Sequence, residues 1–200
     1  MKPTAQQIQD IVGQVTELTW SYAIWWELVN KENRPKFKFA LGEYPNFFSA
    51  VVATMLASVC VIVRRLFDSR TDVLSIPSLV NSLQATHPQR AAALRTQIDG
   101  HSALIQKFTL LRHKVYAHRD GTLDPAAAFN QAQIKPKELR EVVHLIQEIT
   151  GALCEVEGKN SKATMLDTFQ HCERDAAEET GLLIQDIRRS RGDSSAESRL

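Results

Sequence analysis

Residues 47–63, FFSAVVATMLASVCVIV, contain no charged side chain, and Arg64 and Arg65 follow them directly. The run is slightly shorter than the roughly 20 apolar residues that a membrane-spanning helix needs, and three hydroxyl side chains make it more polar. Two interpretations are open: a membrane span, or a helix buried in the middle of a bundle. We favour the buried helix and expect no membrane association, because no second segment of this kind occurs in the chain.

The sequence on both sides of this run is also typical of helices. Apolar residues recur at steps of three and four, as on one face of an amphipathic helix, and no stretch alternates as a strand would. We read FKFALGEYP, residues 37–45, as a connection that keeps exposed aromatic side chains. Helices are predicted at Ala5 to about Lys31, about Phe47 to Phe67, Ser78 to Gln84, Pro88 toward Ala117, from Pro136 onward, and Thr164 to Arg189.

The predicted fold is therefore all-α, an up-and-down bundle of four or more helices around one core. Residues 1–189 are expected to form a single helical domain. The tail at 190–200, SRGDSSAESRL, shows no periodicity and is predicted to be disordered.

Composition limits the classes of function. The chain has 24 basic and 23 acidic side chains, so any site for a polyanion must be a local patch. Cys60, Cys154 and Cys172 form no C-x-x-C pair, and the first residues contain no secretory signal. These features predict a cytoplasmic protein without disulfides. No cluster of metal ligands and no phosphate-binding glycine loop is present, so we expect no metal and no cofactor.

The candidate functional residues lie in LRHKVYAHRDG, residues 111–121. On a helix, Arg112 and His118 are about 120° apart around the axis and about 9 Å apart along it. They lie on the two flanks of an apolar stripe formed by Leu104, Phe108, Leu111 and Val115. Basic residues in a last helical turn also interact favourably with the helix dipole, so a structural interpretation stays open. The functional interpretation is a phosphate site, because arginine binds phosphate oxygens and histidine transfers protons near neutral pH.

Two stretches together resemble a known family. The Arg112-x5-His118 spacing resembles the R-x4-6-H motif of HEPN domains, which are small helical bundles and often dimeric. The stretch RRLFDSRTDVLSIPSLVNSL, residues 64–83, resembles the corresponding region of the abortive-infection U-type (AbiU2-like) HEPN branch. The resemblance covers roughly residues 11–153 and leaves out an extra C-terminal helix at about 164–189.

The resemblance implies a metal-independent endoribonuclease with a toxin-like or antiphage role. Arg112 would bind the scissile phosphate and His118 would transfer protons, within a homodimer that binds RNA. An antitoxin or another defence-system protein is a further partner that the resemblance implies. A non-catalytic HEPN module that binds RNA, nucleotide or protein is the alternative, and a purely structural bundle is a third.

Neighbouring residues take supporting roles by the same resemblance. His113 would orient the site or contact RNA, while Lys114 and Arg119 would contact backbone phosphates. Asp120 stands where HEPN toxins that are silenced by nucleotidyltransferase antitoxins carry tyrosine, so that form of silencing is not expected here.

Two further groups have predicted structural roles. Arg65 and Asp68 lie three residues apart and are expected to pair with each other or with neighbouring helices, as an ion pair near the site. Five aromatic residues could contribute to a dimer interface or could cap the bundle, and we favour capping for the two tryptophans: Trp25, Trp26, Phe37, Phe39 and Tyr44.

Overall fold

The computed structural model describes residues 3–70, 72–111, 134–158 and 160–197. In these residues it has eight α-helices and no strand. The all-α prediction is confirmed. The helices are α1 (Ala5–Val29), α2 (Arg34–Glu43), α3 (Pro45–Leu66), α4 (Ile76–Ser82), α5 (Pro88–Gly100), α6 (Ser102–Leu111), α7 (Pro136–Glu157) and α8 (Lys162–Glu197), with a 3-10 turn at Leu83–Ala85.

α1 lies at the centre of the bundle and packs against α3, α7 and α8. Two residues of its predicted apolar stripe, Val12 and Val29, are partly buried and pack against the core. The other six residues of the stripe are buried as predicted: Ile8, Ile11, Val15, Leu18, Tyr22 and Trp25. They belong to a main core that also takes side chains from α3 to α8. The helical period alone was therefore sufficient to identify the buried face of α1.

α3 is covered along only part of its length. In its C-terminal half Val59, Ile62, Val63 and Leu66 are at most 3% exposed, whereas Phe47 near its start is 57% exposed. The prediction of a helix buried in the middle of the bundle is therefore wrong for the N-terminal half. By length and composition, α3 is the one helix of the described residues that could cross a membrane, a test that core helices of soluble proteins also pass.

A second, smaller core lies where α2 contacts α1, α3 and α8. It consists of Leu28, Phe37, Ala40, Phe48 and Ile184. The region predicted as a connection is thus a helix. Proline fits the first turn of a helix, where no backbone N–H is needed for the hydrogen-bond ladder, and Pro35 occupies that turn of α2. Phe37 and Ala40, three residues apart, then place one face of α2 on this core.

The helix predicted from Pro88 toward Ala117 is interrupted at His101. The His101 Nδ1–H donates a hydrogen bond at 2.8 Å to the Gln97 carbonyl, and Nε2 of the ring lies 3.7 Å from a carboxylate oxygen of Glu141 in α7. The residue that makes these two contacts lies at the break, which divides the predicted helix into α5 and α6. Residues beyond Leu111 lie outside the described part of the chain.

α8 is longer than predicted at both ends. No proline follows Arg189, and the Ser190 hydroxyl donates a hydrogen bond to the Ile187 carbonyl, so the helical register continues. The backbone is helical to Glu197, within the tail that was predicted to be disordered. Gly158 caps the C-terminus of the preceding helix, α7. It adopts a positive φ of 72°, a backbone conformation that favours glycine.

Candidate functional site

The predicted site residues fall in residues 112–133, outside the described part of the chain. This applies to both proposed catalytic residues and to all four supporting residues: Arg112, His118, His113, Lys114, Arg119 and Asp120. Their roles stay predictions. The structure does describe the helices that flank this segment and the contacts that hold them.

α6 leads directly into the motif and is fixed by burial. Three residues of its predicted core stripe, Leu104, Phe108 and Leu111, are 9%, 0% and 1% exposed and pack into the main core. Burial of three large apolar side chains stabilises such a helix by several kcal/mol. The backbone that precedes Arg112 is therefore anchored on the core.

The far end of the segment is anchored as well. Ile134 packs against the main core just before α7 begins. The Glu138 carboxylate accepts hydrogen bonds from Lys107 of α6 and from the backbone N–H of Lys135. The hydrogen bond from Lys107, and then that from Lys135, lower the pKa of Glu138. An ion pair thus connects the two helices on either side of the motif-bearing segment.

The RLFD stretch forms a turn after α3. The Asp68 carboxylate accepts hydrogen bonds from the backbone N–H of Arg70 at 3.0 Å and from the Arg70 guanidinium at 3.2 and 3.3 Å. Arg64 lies 3.6 Å from the same carboxylate. The hydrogen bond from the Arg70 backbone is the largest cause of a lowered pKa of Asp68. Asp68 therefore stays ionised while it holds this turn.

Arg65 and Asp68 do not pair with each other in the described contacts. Arg65 lies 3.7 Å from Glu17 of α1, and the two side chains are 48% and 59% exposed. This is the predicted contact with a neighbouring helix, but it lies at the surface and is not an internal ion pair. Asp68 uses Arg64 and Arg70 instead.

The SIPS stretch begins α4. The Ser75 hydroxyl accepts a hydrogen bond from the backbone N–H of Ser78, and the Ser78 hydroxyl accepts one from the backbone N–H of Ser75. This reciprocal pair is a capping box, and Pro77 lies in the first turn of the same helix. Both halves of the 64–83 stretch thus have structural roles in the described part of the chain, as a turn and as a helix start.

The aromatic residues separate into two groups. Trp25 and Phe37 are buried, in agreement with capping. The rings of Tyr22, Trp25 and Trp26 lie at centroid distances of 6.1–6.5 Å, with Tyr22 and Trp26 stacked and the other two pairs tilted. Phe39 and Tyr44 are 47% and 38% exposed.

Possible metal ligands and thiols can be located within the described residues. No group of three or more His, Cys, Asp or Glu side chains that could hold a metal ion lies there. Burial raises the pKa of the Cys60 thiol to about 12 and also raises that of Cys154. Because the thiolate is the nucleophile, these two cysteines are unsuited to nucleophilic catalysis.

Comparison with known proteins gives one finding. The family model HEPN_AbiU2, described as AbiU2, matches residues 10–179. The match extends past residue 153, the limit inferred from the sequence, and includes the first half of α8. No curated protein and no solved structure matches the chain. The chain belongs to the AbiU2 family of HEPN domains.

Proposed function

We propose that this chain is a metal-independent endoribonuclease of HEPN type that acts as a toxin-like or antiphage protein in abortive infection. The observation that carries the proposal is the family match over residues 10–179, a range that contains the Arg112-x5-His118 motif. The core contacts of Leu111 and Ile134 support it, because they anchor both ends of the segment that bears the motif.

The proposed reaction is attack of a ribose 2′-oxygen on the adjacent phosphorus. The bond from phosphorus to the 5′-oxygen of the next nucleotide breaks, and the products are a 2′,3′-cyclic phosphate and a 5′-hydroxyl. Arg112 stabilises the negative charge that accumulates on the phosphate oxygens. His118 takes the proton from the 2′-hydroxyl, a role that suits histidine because its ordinary pKa is about 6.5.

The leaving 5′-oxygen must receive a proton, and one histidine cannot easily give and take a proton in the same step. We therefore propose a homodimer in which the two copies of the motif face each other, so that a second His118 acts as the acid. Lys114 and Arg119 contact RNA phosphates without reading the sequence, and His113 orients the site or contacts RNA. An antitoxin or defence-system protein is the proposed regulator.

RNA cleavage by the purified chain in EDTA tests this proposal. The parent should cut RNA, and Arg112→Ala and His118→Ala should each lose activity by a factor of about 100 or more. Arg174→Ala and His144→Ala are the matched controls, because both side chains are exposed, on α8 and α7, outside the motif. The cleaved ends should carry a cyclic phosphate, which phosphatase does not remove until acid opens the ring.

The contrary result is a folded parent that cuts no RNA under these conditions. The non-catalytic alternative would then be favoured if the parent bound RNA and the affinity fell steeply with salt, as it does when phosphate contacts dominate. Equal activity in the parent and in both motif variants would reject the proposed roles of Arg112 and His118.

A further inference from the structure

An open apolar groove lies between α1, α3 and α8. Its volume is about 600 Å³, and its buried floor includes Leu28, Phe48 and Ile184. Three large apolar side chains form its rim and stay half exposed: Trp20 at 48%, Phe47 at 57% and Leu183 at 57%. A contiguous exposed apolar surface of this kind is typical of a protein interaction site.

The charged residues that line the groove are acidic. Asp175 and Glu179 lie one turn apart on α8, and no lysine or arginine lines the groove among the described residues. Asp175 has the His171 ring 3.7 Å away, a neighbour that is charged only when protonated. Within the described part of the chain, Glu179 has no ion pair. A complementary surface must therefore combine apolar and basic side chains.

α2 presents such a surface. Arg34, Lys38 and Phe39 are exposed, while the opposite face of α2 buries Phe37 and Ala40. Arg34 and Lys38 are four residues apart, the same spacing as Asp175 and Glu179. Neither basic residue forms an ion pair in the part of the chain that the structure describes.

We infer that the groove binds α2 of a second copy of this chain. Phe39 enters the apolar groove beside Leu183, and the Arg34 and Lys38 pair contacts the Asp175 and Glu179 pair. α2 and the groove share contacts with the same second core, so both surfaces lie on one end of the molecule. A twofold axis then uses each surface twice and leaves neither uncovered.

This inference deepens the dimer of the proposed function, and its test measures mass and not RNA cleavage, so the two can fail separately. Sedimentation of the full chain should give twice the mass of one chain. Asp175→Lys with Glu179→Lys, and separately Arg34→Glu with Lys38→Glu, should each weaken the dimer about tenfold or more, because like charges then face each other twice.

A mixture of these two double variants provides the decisive measurement. Each reversed groove then faces an oppositely charged α2, so a mixed dimer should form with the affinity of the parent. Asp167→Lys with Glu178→Lys is the matched control: it makes the same charge change on exposed positions of α8 outside the groove, and the dimer should persist.

Two results would overturn the inference. The first is a parent that stays monomeric at every concentration reached, which would leave the groove to another ligand. The second is a dimer that neither reversal weakens, or that the mixture does not restore although circular dichroism shows both variants folded.

Discussion

Up to Val63 both halves of α3 are free of charge, yet they have different surroundings. The C-terminal half contributes four side chains to the main core, which takes side chains from five or more helices: Val59, Ile62, Val63 and Leu66. In the N-terminal half Phe48 is buried, while Phe47 stands at the rim of an open groove. The hydropathy of α3 therefore predicted that this helix needs an apolar environment. It did not predict which part of the helix is covered by other helices of the same chain.

This difference separates residues that stabilise the fold from residues available for binding. Apolar area that the chain covers contributes about 25 cal/mol per Å² to folding. The uncovered area contributes nothing until a partner removes it from water. Substitutions in the main core should thus change the free energy of unfolding, whereas those at the groove should change association.

The largest expected effect is that of Phe108→Ala. The Phe108 ring is fully buried in the main core, so its removal should lower the free energy of unfolding by about 3–5 kcal/mol. Phe47→Ala, at the groove rim, is the matched change and should stay within about 0.5 kcal/mol when the chain is monomeric. Urea denaturation at low protein concentration measures both. Equal losses would contradict the distinction between the two halves.

A polar contact inside the main core comes next. The Gln147 amide donates a hydrogen bond at 3.0 Å to the buried Thr19 hydroxyl, which itself donates to the Val15 carbonyl. Thr19→Val leaves the buried amide unpaired and should cost about 1–3 kcal/mol. Adding Gln147→Leu removes the unpaired donor and should recover most of the loss in the same urea experiment. If the double variant were as unstable as Thr19→Val alone, the loss of stability would come from poor packing of the new valine methyl group and not from the unpaired amide.

The turn that ends α3 should contribute less. Asp68→Asn should lower the free energy of unfolding by about 1–2 kcal/mol at pH 7, because the charged hydrogen bonds from Arg70 and the ion pair with Arg64 are lost from a side chain that is 13% exposed. A lowered folded-state pKa stabilises the fold above the ordinary aspartate pKa of about 3.9. This stabilisation is lost as the pH falls from there through the lower folded-state value.

Denaturation of the parent and Asp68→Asn from pH 7 to pH 2 measures that dependence. The difference between the two should shrink below pH 4. Asp99→Asn, an exposed carboxylate on α5, serves as the control for a general change of charge. A difference that stays constant down to pH 2 would show that ionisation of Asp68 is not what stabilises the turn.

Periodicity predicted most of the fold because it reports on local geometry. The stripe from Ile8 to Trp25 and the stripe on α6 are both buried as predicted. α2 was missed because Pro35 and Gly42 within it and Pro45 after it are typical of connections, and its burial depends on contacts with α3 and α8. The interruption at His101 involves Glu141 of another helix, which no local pattern contains.

For the site, the sequence allowed the motif and the family to be recognised, but not the contacts around them. The two stretches that resemble HEPN domains identified the family, and the family match agrees. The partners of Arg65 and Asp68 were not predictable in detail. Glu17 is far from Arg65 along the chain, and Arg70 reaches Asp68 through a turn whose geometry has no clear sequence pattern. The groove beside Asp175 and Glu179 is formed by three helices, so no pattern within α8 alone could predict it.

The smallest effect at neutral pH is expected for Tyr22→Phe, in the main core. The Tyr22 hydroxyl is buried and has no hydrogen-bond partner among the residues that the structure describes, so its removal should change the free energy of unfolding at pH 7 by less than about 1 kcal/mol, or raise it. Burial raises the pKa of Tyr22 to about 12. The unfolded chain therefore ionises first, and the parent should lose stability between about pH 10 and 12, by up to about 1.4 kcal/mol per pH unit.

Tyr22→Phe should lack this part of the alkaline loss, and Tyr44→Phe, which removes an exposed phenol, is the matched control. Urea denaturation at pH 8 and pH 11 compares the three proteins. If Tyr22→Phe lost as much stability as the parent over this range, the phenol would have to ionise in the folded chain, and water would have to reach the main core beside Trp25 and Trp26. The main core would then be accessible to water as the groove is, although α1 packs against α7 and α8.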